Sequence, residues 1–503
     1  MIPSGRISRR EFLTSAASIG AALALPAPLR GNPYAPLRPP PRIPAPVRVR
    51  GRVTALGRPV RGAAVSDGLT VVATDADGRY QLIGDGRRPH ISISPPPGYA
   101  VPVAPNGTAR LYQPLVADAR GEATALFSLT PLGRSDERHG FVVLADPQTQ
   151  DEYEMARFQK ETVPDVQATV QELGELPLFG LSDGDMMYDN LGLFDAYELA
   201  VGRMGLPFFQ VVGNHDLDLD ATTDEDSTVT FTRRFGPRYY SFNRGQIHYV
   251  VLDDVFYYAG GYLGYLPAEQ LAWLAADLAL VPRGGTVVVF LHIPLVSSLY
   301  ERHGEPRPEL ANSVTNRDAL LALLEPFTAH LISGHTHECE HRVYGRAVDH
   351  TLGAACGAWW TGDICYDGTP NGYGVFEAVG SQLRWRYQAT GQAADRQCTV
   401  YPAGADPRAP EEIVANVWDW DPAWTVAWYE DGERKGAMAR RTGLDPLAVR
   451  TQAGPALPKR RGWVDPEPTA HMFYAPAGKQ VREVRVEVTD RFGRVSTTVV
   501  PAR

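Results

Sequence analysis

Ten side chains with donor atoms suited to a cation or a proton occur between positions 146 and 337 in five short clusters, and seven of them are candidate metal ligands. They read D-P-Q (Asp146, Gln148), G-D-M-M-Y-D (Asp185, Asp189), G-N-H-D (Asn214, His215, Asp216), H-I-P (His292) and G-H-T-H (His335, His337). Carboxylate, imidazole and amide oxygen without thiolate suit Mn, Fe or Zn in trigonal-bipyramidal or octahedral sites, whereas a structural zinc wants cysteine. Three His, two Asp, an Asn and a Gln are too many ligands for one ion. They suffice for two ions about 3.5 to 4 Å apart that share a bridging carboxylate. Such a pair neutralises phosphate oxygens, acidifies a water and separates nucleophile from leaving group, while a histidine outside the coordination sphere can protonate a departing alkoxide. Gly184, Gly213 and Gly334 let the backbone turn sharply so that the next side chain reaches the metal.

These clusters need elements to bring them together. Apolar runs at 141–145, 177–181, 207–212, 286–291 and 329–333 read as buried strands, and each is followed at once by one of the clusters; a sixth, 248–252, is followed by none. Helical patterns fall at 151–173, 194–204, 267–280 and 316–327. Strand alternating with helix predicts an α/β layer architecture. In such sheets ligand clefts open at the carboxyl ends of the strands, where these clusters would converge.

The five motifs in this order resemble the calcineurin-like metallophosphoesterases over about half the chain. The resemblance implies a four-layer α/β/β/α sandwich. It also implies a first metal on Asp146, Gln148, Asp185 and His337, and a second on Asp185, Asn214, His292 and His335. His215 would contact the phosphate or leaving group while a metal-bound hydroxide attacks phosphorus in line, with no covalent enzyme intermediate. One position departs from the family pattern: Gln148 stands where the family usually has His. A neutral oxygen donor makes the first site harder and weaker, favouring Mn or Mg over Zn or Fe there. Asp189 either caps the following helix or supports His215, and Asp216 is expected to orient its loop. Trp359 and Trp360 either wall the pocket or pack a second sheet. The polar stretch 297–314, with Arg302, His303, Glu305 and Arg307, is expected to face the substrate. Cys339 and His341 are expected near the ligands or at the surface, and His90, His139, His248, His303, His330, His350 and His471 to be structural, His303 within that polar stretch.

Chain length and composition fit this frame. At roughly 150 residues per domain, 503 residues hold about three. The 58 acidic against 49 basic residues argue against a nucleic-acid or anionic-membrane surface as the main partner. Residues 1–27, with Arg9-Arg10, a short apolar run and small residues at 22–27, read as a twin-arginine export signal, too short to span a bilayer. Residues 28–46 read as a Pro-rich linker. From 47 to 134, alternating runs and the D-A-D-G turn predict an antiparallel β-sandwich resembling transthyretin-like or carboxypeptidase-regulatory-like modules. The phosphoesterase-like region is assigned to 136–395. Residues 396–503 return to β patterns and resemble the C-terminal domain of some multidomain members; Trp418, Trp420, Trp424 and Trp428 there suit core packing or, alternatively, a glycan or cell-wall face. The fold class expected is therefore α/β, with two small β-sandwich-like domains flanking the four-layer sandwich. Of four Cys, only Cys356 and Cys365 are candidates to pair. The function expected is hydrolysis of a phosphate mono- or diester by an exported protein with two metal ions (Mn, Fe or Zn) and no transmembrane segment in the mature chain. A surface or glycan-binding protein with a degenerate core is the competing expectation.

Overall fold

A computed structural model describes residues 46–502 apart from 259, 455, 456, 458 and 459. The expected export signal lies outside the described residues, as does the linker except for Pro46. Among the described residues no helix is long and apolar enough to cross a membrane.

The centre of the molecule is two β-sheets laid face to face. One has five strands in the order Phe208–Val211, Leu178–Asp183, Arg138–Leu144, Gly372–Val379, Gln382–Ala389. The other has six: Tyr240–Arg244, Ile247–Val251, Thr286–Phe290, Thr328–Ser333, Ala347–Thr351, Glu340–Tyr344. In the six-stranded sheet the four inner strands run parallel and an antiparallel strand closes each edge; in the five-stranded sheet the first three strands run parallel and the last two are added by antiparallel pairing. Alternate residues serve opposite faces. Phe141, Val143, Phe179, Leu181, Phe209 and Phe376 therefore meet Phe242, Tyr249, Val288 and Phe290 in a core between the sheets. There Phe141 stacks between Phe179 and Phe376, with ring centroids 4.9 and 4.8 Å away.

The other face of each sheet is covered by helices, giving four layers α/β/β/α. Val142, Leu144 and Val375 pack on helices around Phe158, Val166, Tyr197 and Val201. Val250, Val287, Val289 and Leu331 pack on Trp273, Leu274, Leu320 and Leu324 of helices Ala268–Leu278 and Arg317–Leu324. The expected helix 151–173 is interrupted. It runs Glu152–Arg157, widens into one π turn over Phe158–Thr162 and resumes at Val163–Leu173. Pro164, which has no N–H to give the turn before it, sits where the α pattern restarts.

The two flanking domains are β-sandwiches. In the first, Pro46–Ala55 pairs antiparallel with Arg79–Asp85 but parallel with Glu122–Leu129, which corrects the all-antiparallel expectation. The cause is a crossover: 36 residues separate Arg79–Asp85 from Glu122–Leu129 and include strands of the second small sheet. This domain also shields an edge. Phe208 N–H donates to Gly107 O (3.0 Å) and Ala109 N–H to Phe208 O (2.8 Å), so a loop of the first domain covers the outer strand of the five-stranded sheet. In the C-terminal domain Trp424 and Trp428 lie in the core between two four-stranded sheets. Trp418 packs with Cys339 and Tyr387 at the junction to the central domain, and Trp420 is partly buried beneath Arg440. All four cysteines are buried free thiols, so Cys356 and Cys365 do not pair.

Candidate metal centre

Six residues of the five clusters share an uncommon backbone. Asp146, Gln148, Asp185, Asp189, His335 and His337 all have positive φ, between 38° and 68°. A non-Gly residue pays for left-handed backbone in strain, and runs of such residues mark functional loops. Each sits in the loop leaving the carboxyl end of a strand, where the sheet ends and the chain must double back to aim a side chain inward. The glycines serve close approach. A Cβ on Gly213 would lie 2.0 Å from Asp185 N, one on Gly184 2.2 Å from His292 Nδ1, and one on Gly334 2.4 Å from Asp146 Oδ2.

All seven expected ligands converge. Ligand atoms of Asp185, His292 and His335 lie within 4.8 Å of one another. Asn214 Oδ1 is 3.1 Å from His292 Nε2, and Gln148 Nε2 donates to Asp185 Oδ2 at 2.6 Å. Asp146 Oδ1 is 3.4 Å from His337 Nε2. Asp185 sits between the two groups, as a bridging carboxylate must.

The donor set fits cations. Asp146 Oδ1, Gln148 Oε1 and His337 Nε2 are buried polar atoms with no hydrogen-bond partner among the described residues. Leaving such groups unpaired costs about 1–3 kcal/mol each, so their clustering calls for a shared partner. Their chemistry, two oxygens and a nitrogen with Asp185 alongside, is that of a hard or borderline metal ion. The histidines are oriented accordingly. His337 Nδ1 pairs with Gly357 O at 2.7 Å and His292 Nδ1 with Asp183 O at 2.9 Å, which leaves each Nε2 as the lone-pair nitrogen facing the cluster. Gln148 thus keeps a buried, unpartnered oxygen beside the cluster while its amide nitrogen anchors to Asp185.

His215 stands apart from the ligands but beside them. Its backbone N–H donates to Asp185 Oδ1 (2.8 Å), its Nδ1 pairs with Asp189 Oδ1 (2.7 Å) and its ring stacks on Tyr188 at 4.4 Å. Asp189 therefore supports His215; the following turn, Leu191–Leu193, begins at Asn190 with no side-chain cap. Burial works against charge on His215, but Asp185 and Asp189 outweigh it and raise its pKa above the ordinary value. Asp216 accepts from the backbone N–H of Met186, Met187 and Gly213, tying the second loop to the third, and burial pushes its own pKa up to about 7.

Three expectations about the pocket need correction or division. Arg302 is buried against Glu338 (2.5 Å) and also donates to Pro468 O, so it braces the C-terminal domain and is not free to meet a phosphate. Its neighbour His303 pairs with Glu467 at 2.6 Å. Trp360 is a core residue whose Nε1 donates to Pro147 O at 3.0 Å. Trp359 does reach the site, stacking on His337 at 4.3 Å. His341 is neither a ligand nor exposed. It pairs with Asp419 at 2.7 Å and touches His350.

Sequence reading passed over several supports. Asn312 Oδ1 meets His335 Nε2 at 3.1 Å, and Asp254 accepts from the N–H of His292 and Ile293. Asp254 follows the one strand that had seemed to carry no cluster. Two successive aspartates at that strand end, Asp253 and Asp254, were the available signal. Asn312, Gly357 O and Asp183 O carried none, since a backbone carbonyl has no sequence signature.

The chain matches three consecutive family descriptions: the N-terminal domain of calcineurin-like phosphoesterase over residues 47–132, calcineurin-like phosphoesterase over 140–339, and its C-terminal domain over 349–495. Purple acid phosphatase 15 of Arabidopsis thaliana is 32% identical over 158 residues, which is 29% of this chain and 27% of that protein. This chain thus aligns with little more than a quarter of that relative. Among solved structures, a dimetal phosphatase from Danio rerio shows TM-score 0.35 and 13% identity, covering 50% of this chain and 96% of that one. Purple acid phosphatase PPD1 from yellow lupin (Lupinus luteus) shows TM-score 0.36 and 13% identity, covering 63% and 56%. With its metal-ligand clusters in order and both companion domains in place, the chain belongs to the calcineurin-like phosphoesterase family.

Proposed function

We propose that the protein is an exported hydrolase of phosphate mono- or diesters that works with two metal ions. The observation that carries this reading is the meeting of seven ligand side chains around Asp185, with unpartnered atoms of Asp146, Gln148 and His337 buried there and the non-ligand His215 alongside. Asp146, Gln148, Asp185 and His337 would hold one ion, and Asp185, Asn214, His292 and His335 the other. Such ions, when bound, neutralise phosphate oxygens and acidify a water for in-line attack. The chain's own residues do the rest. Asp189 fixes the His215 ring through Nδ1 and leaves Nε2 as the nitrogen that gives its proton to the leaving oxygen. Partial exposure, 24% for the His215 side chain, lets an ester reach it. Asp254 and Asp216 hold the His292 and G-N-H-D loops so that these groups need not reorganise during the reaction.

The test is turnover of p-nitrophenyl phosphate and bis-p-nitrophenyl phosphate by purified protein supplied with Mn, Fe, Zn or Mg, with Asp185→Asn alongside. Metal-dependent turnover that Asp185→Asn abolishes supports the reading, and the preferred ester separates monoesterase from diesterase. A folded wild-type protein that binds less than one equivalent of any metal and hydrolyses neither ester overturns it.

A further inference from the structure

The C-terminal domain reaches the mouth of the metal centre with one short segment. Arg461, in left-handed backbone at φ 48°, sends its guanidinium between loops that carry candidate catalytic groups. One nitrogen donates to Gln150 Oε1 (3.2 Å), in the loop of Asp146 and Gln148, and to both oxygens of Glu154 (3.2 and 3.3 Å). Nε donates to the carbonyl of Trp359 (3.3 Å), the residue whose ring stacks on His337. The guanidinium plane lies 4.2 Å over the ring of Tyr188, the same ring that stacks on His215. Two residues on, Trp463 packs against Trp359 with centroids 4.8 Å apart. Glu154 is fully buried and the Arg461 side chain is 10% exposed, so this is an interior contact.

We propose that Arg461, supplied by the C-terminal domain, is a positioning residue of the active site that clamps the D-P-Q, G-D-M-M-Y-D and 353–361 loops and holds Tyr188 against His215. The proposal rests on the hydrolase reading above. A planar guanidinium can satisfy carboxylate, amide and carbonyl at once and still stack on a ring; an ammonium cannot do both. The C-terminal domain is on this account part of the catalytic apparatus, because Arg461 backs the Tyr188 ring on which His215 stacks while Asp189 holds its Nδ1.

The test compares full-length wild type, Arg461→Ala and Arg461→Lys on p-nitrophenyl phosphate and on phenyl phosphate. The second ester has the poorer leaving group and depends more on protonation by His215. The expected result is unchanged metal content and KM within about threefold. kcat on phenyl phosphate falls by about a hundredfold, the size of a 1 Å misplacement, and by far less on p-nitrophenyl phosphate. Arg461→Lys, which keeps a charge for Glu154 but loses the plane, shows the same selective loss. Amide hydrogen exchange supplies a readout free of turnover. In Arg461→Ala, segments 146–154 and 185–190 exchange faster while 47–132 is unchanged. Equal loss on both esters, full restoration by Arg461→Lys, or unchanged exchange in those two loops overturns the proposal. If wild type hydrolyses neither monoester, bis-p-nitrophenyl phosphate and metal content decide the hydrolase reading as above, and the exchange result still decides whether Arg461 clamps the loops.

Discussion

The Nε2 of His292 and the Nδ1 of His335 face one another at 3.2 Å, each left with its lone pair because the ring's other nitrogen is engaged by an oxygen. Two lone pairs so close repel unless a cation or proton lies between them. The carboxylate of Asp185, 3.3 Å from His292 Nε2, supplies the negative charge that makes a divalent ion the better occupant. The proposed second metal position would thus rest on the tautomers of two rings, and those tautomers are set by a carbonyl and by the amide of Asn312.

Asn312→Leu should therefore weaken metal binding without touching a ligand. Removing the oxygen partner of His335 Nε2 lets the ring rotate and lowers its basicity, and losses of this kind run to about 10–100-fold in metal affinity. Competitive titration with a chelating dye measures it. Affinity equal to wild type would show that Asn312 merely fills space.

Gln148→His should move metal preference. The present amide gives a hard, neutral oxygen to the first position, and its nitrogen donates to Asp185 at 2.6 Å. An imidazole there is the softer donor and favours Zn over Mn, so the ratio of Zn to Mn affinity should rise on the order of tenfold, or about 1.4 kcal/mol. The measurement is metal content after equilibration with equimolar mixtures of the two ions.

Much of this site was legible because its signal is local. Each strand ends, a glycine or turn follows, and a ligand comes next, so Asp146, Asp185, Asn214, His292, His335 and His337 could be placed by type and order. Strand pairs such as Glu340–Tyr344 with Ala347–Thr351 were harder to read: their residues are half polar because Glu340–Tyr344 lies at the sheet edge. Arg302 misled for a related reason. Its place next to a metal ligand in sequence suggested substrate, but Glu338 and Pro468, which claim it, are 36 and 166 positions away. Arg461 carried no signal of its own in the sequence, and only the docking of two domains brings it to Tyr188.

Stability should fall on acidification in a way traceable to single buried histidines. Burial lowers the pKa of His330 to about 4, against an ordinary value of 6.5, and the Arg491 charge adds to this. Between those two values the unfolded chain takes up a proton that the folded chain refuses, so stability declines as pH falls from about 6.5 towards 4. For one such group the loss between pH 7 and 4.5 is about 2 kcal/mol. In chelator-treated protein, His330→Gln should flatten the pH dependence of the unfolding free energy from urea titration by that amount. His139, also lowered to about 4 and fully buried, remains in that variant and keeps part of the slope.

Export predicts its own genetics. If Arg9 and Arg10 form a twin-arginine signal, replacing both by Lys should retain the charge yet strand the protein in the cytoplasm. Fractionation with an immunoblot reads the outcome, and equal export of the two forms would remove the twin-arginine assignment.

Gly334→Ala tests the geometry of the last loop with one methyl group. The added Cβ would meet Asp146 Oδ2 at 2.4 Å and Ala145 Cβ at 2.9 Å, distances no real contact sustains. The same Oδ2 accepts from His335 N–H at 2.8 Å, so pushing Asp146 aside both displaces a ligand of the first metal and frees the backbone that aims a ligand of the second. Overpacking of this kind costs about 1–3 kcal/mol, and the metal sites should suffer further because Asp146 cannot move without losing His337. Gly362→Ala is the matched control, since a Cβ there meets nothing within 4 Å. Gly334→Ala is expected to fold with reduced metal content at both positions and to lose turnover, whereas Gly362→Ala keeps both. Full metal content in Gly334→Ala would mean that the D-P-Q and G-H-T-H loops are not interlocked through Asp146.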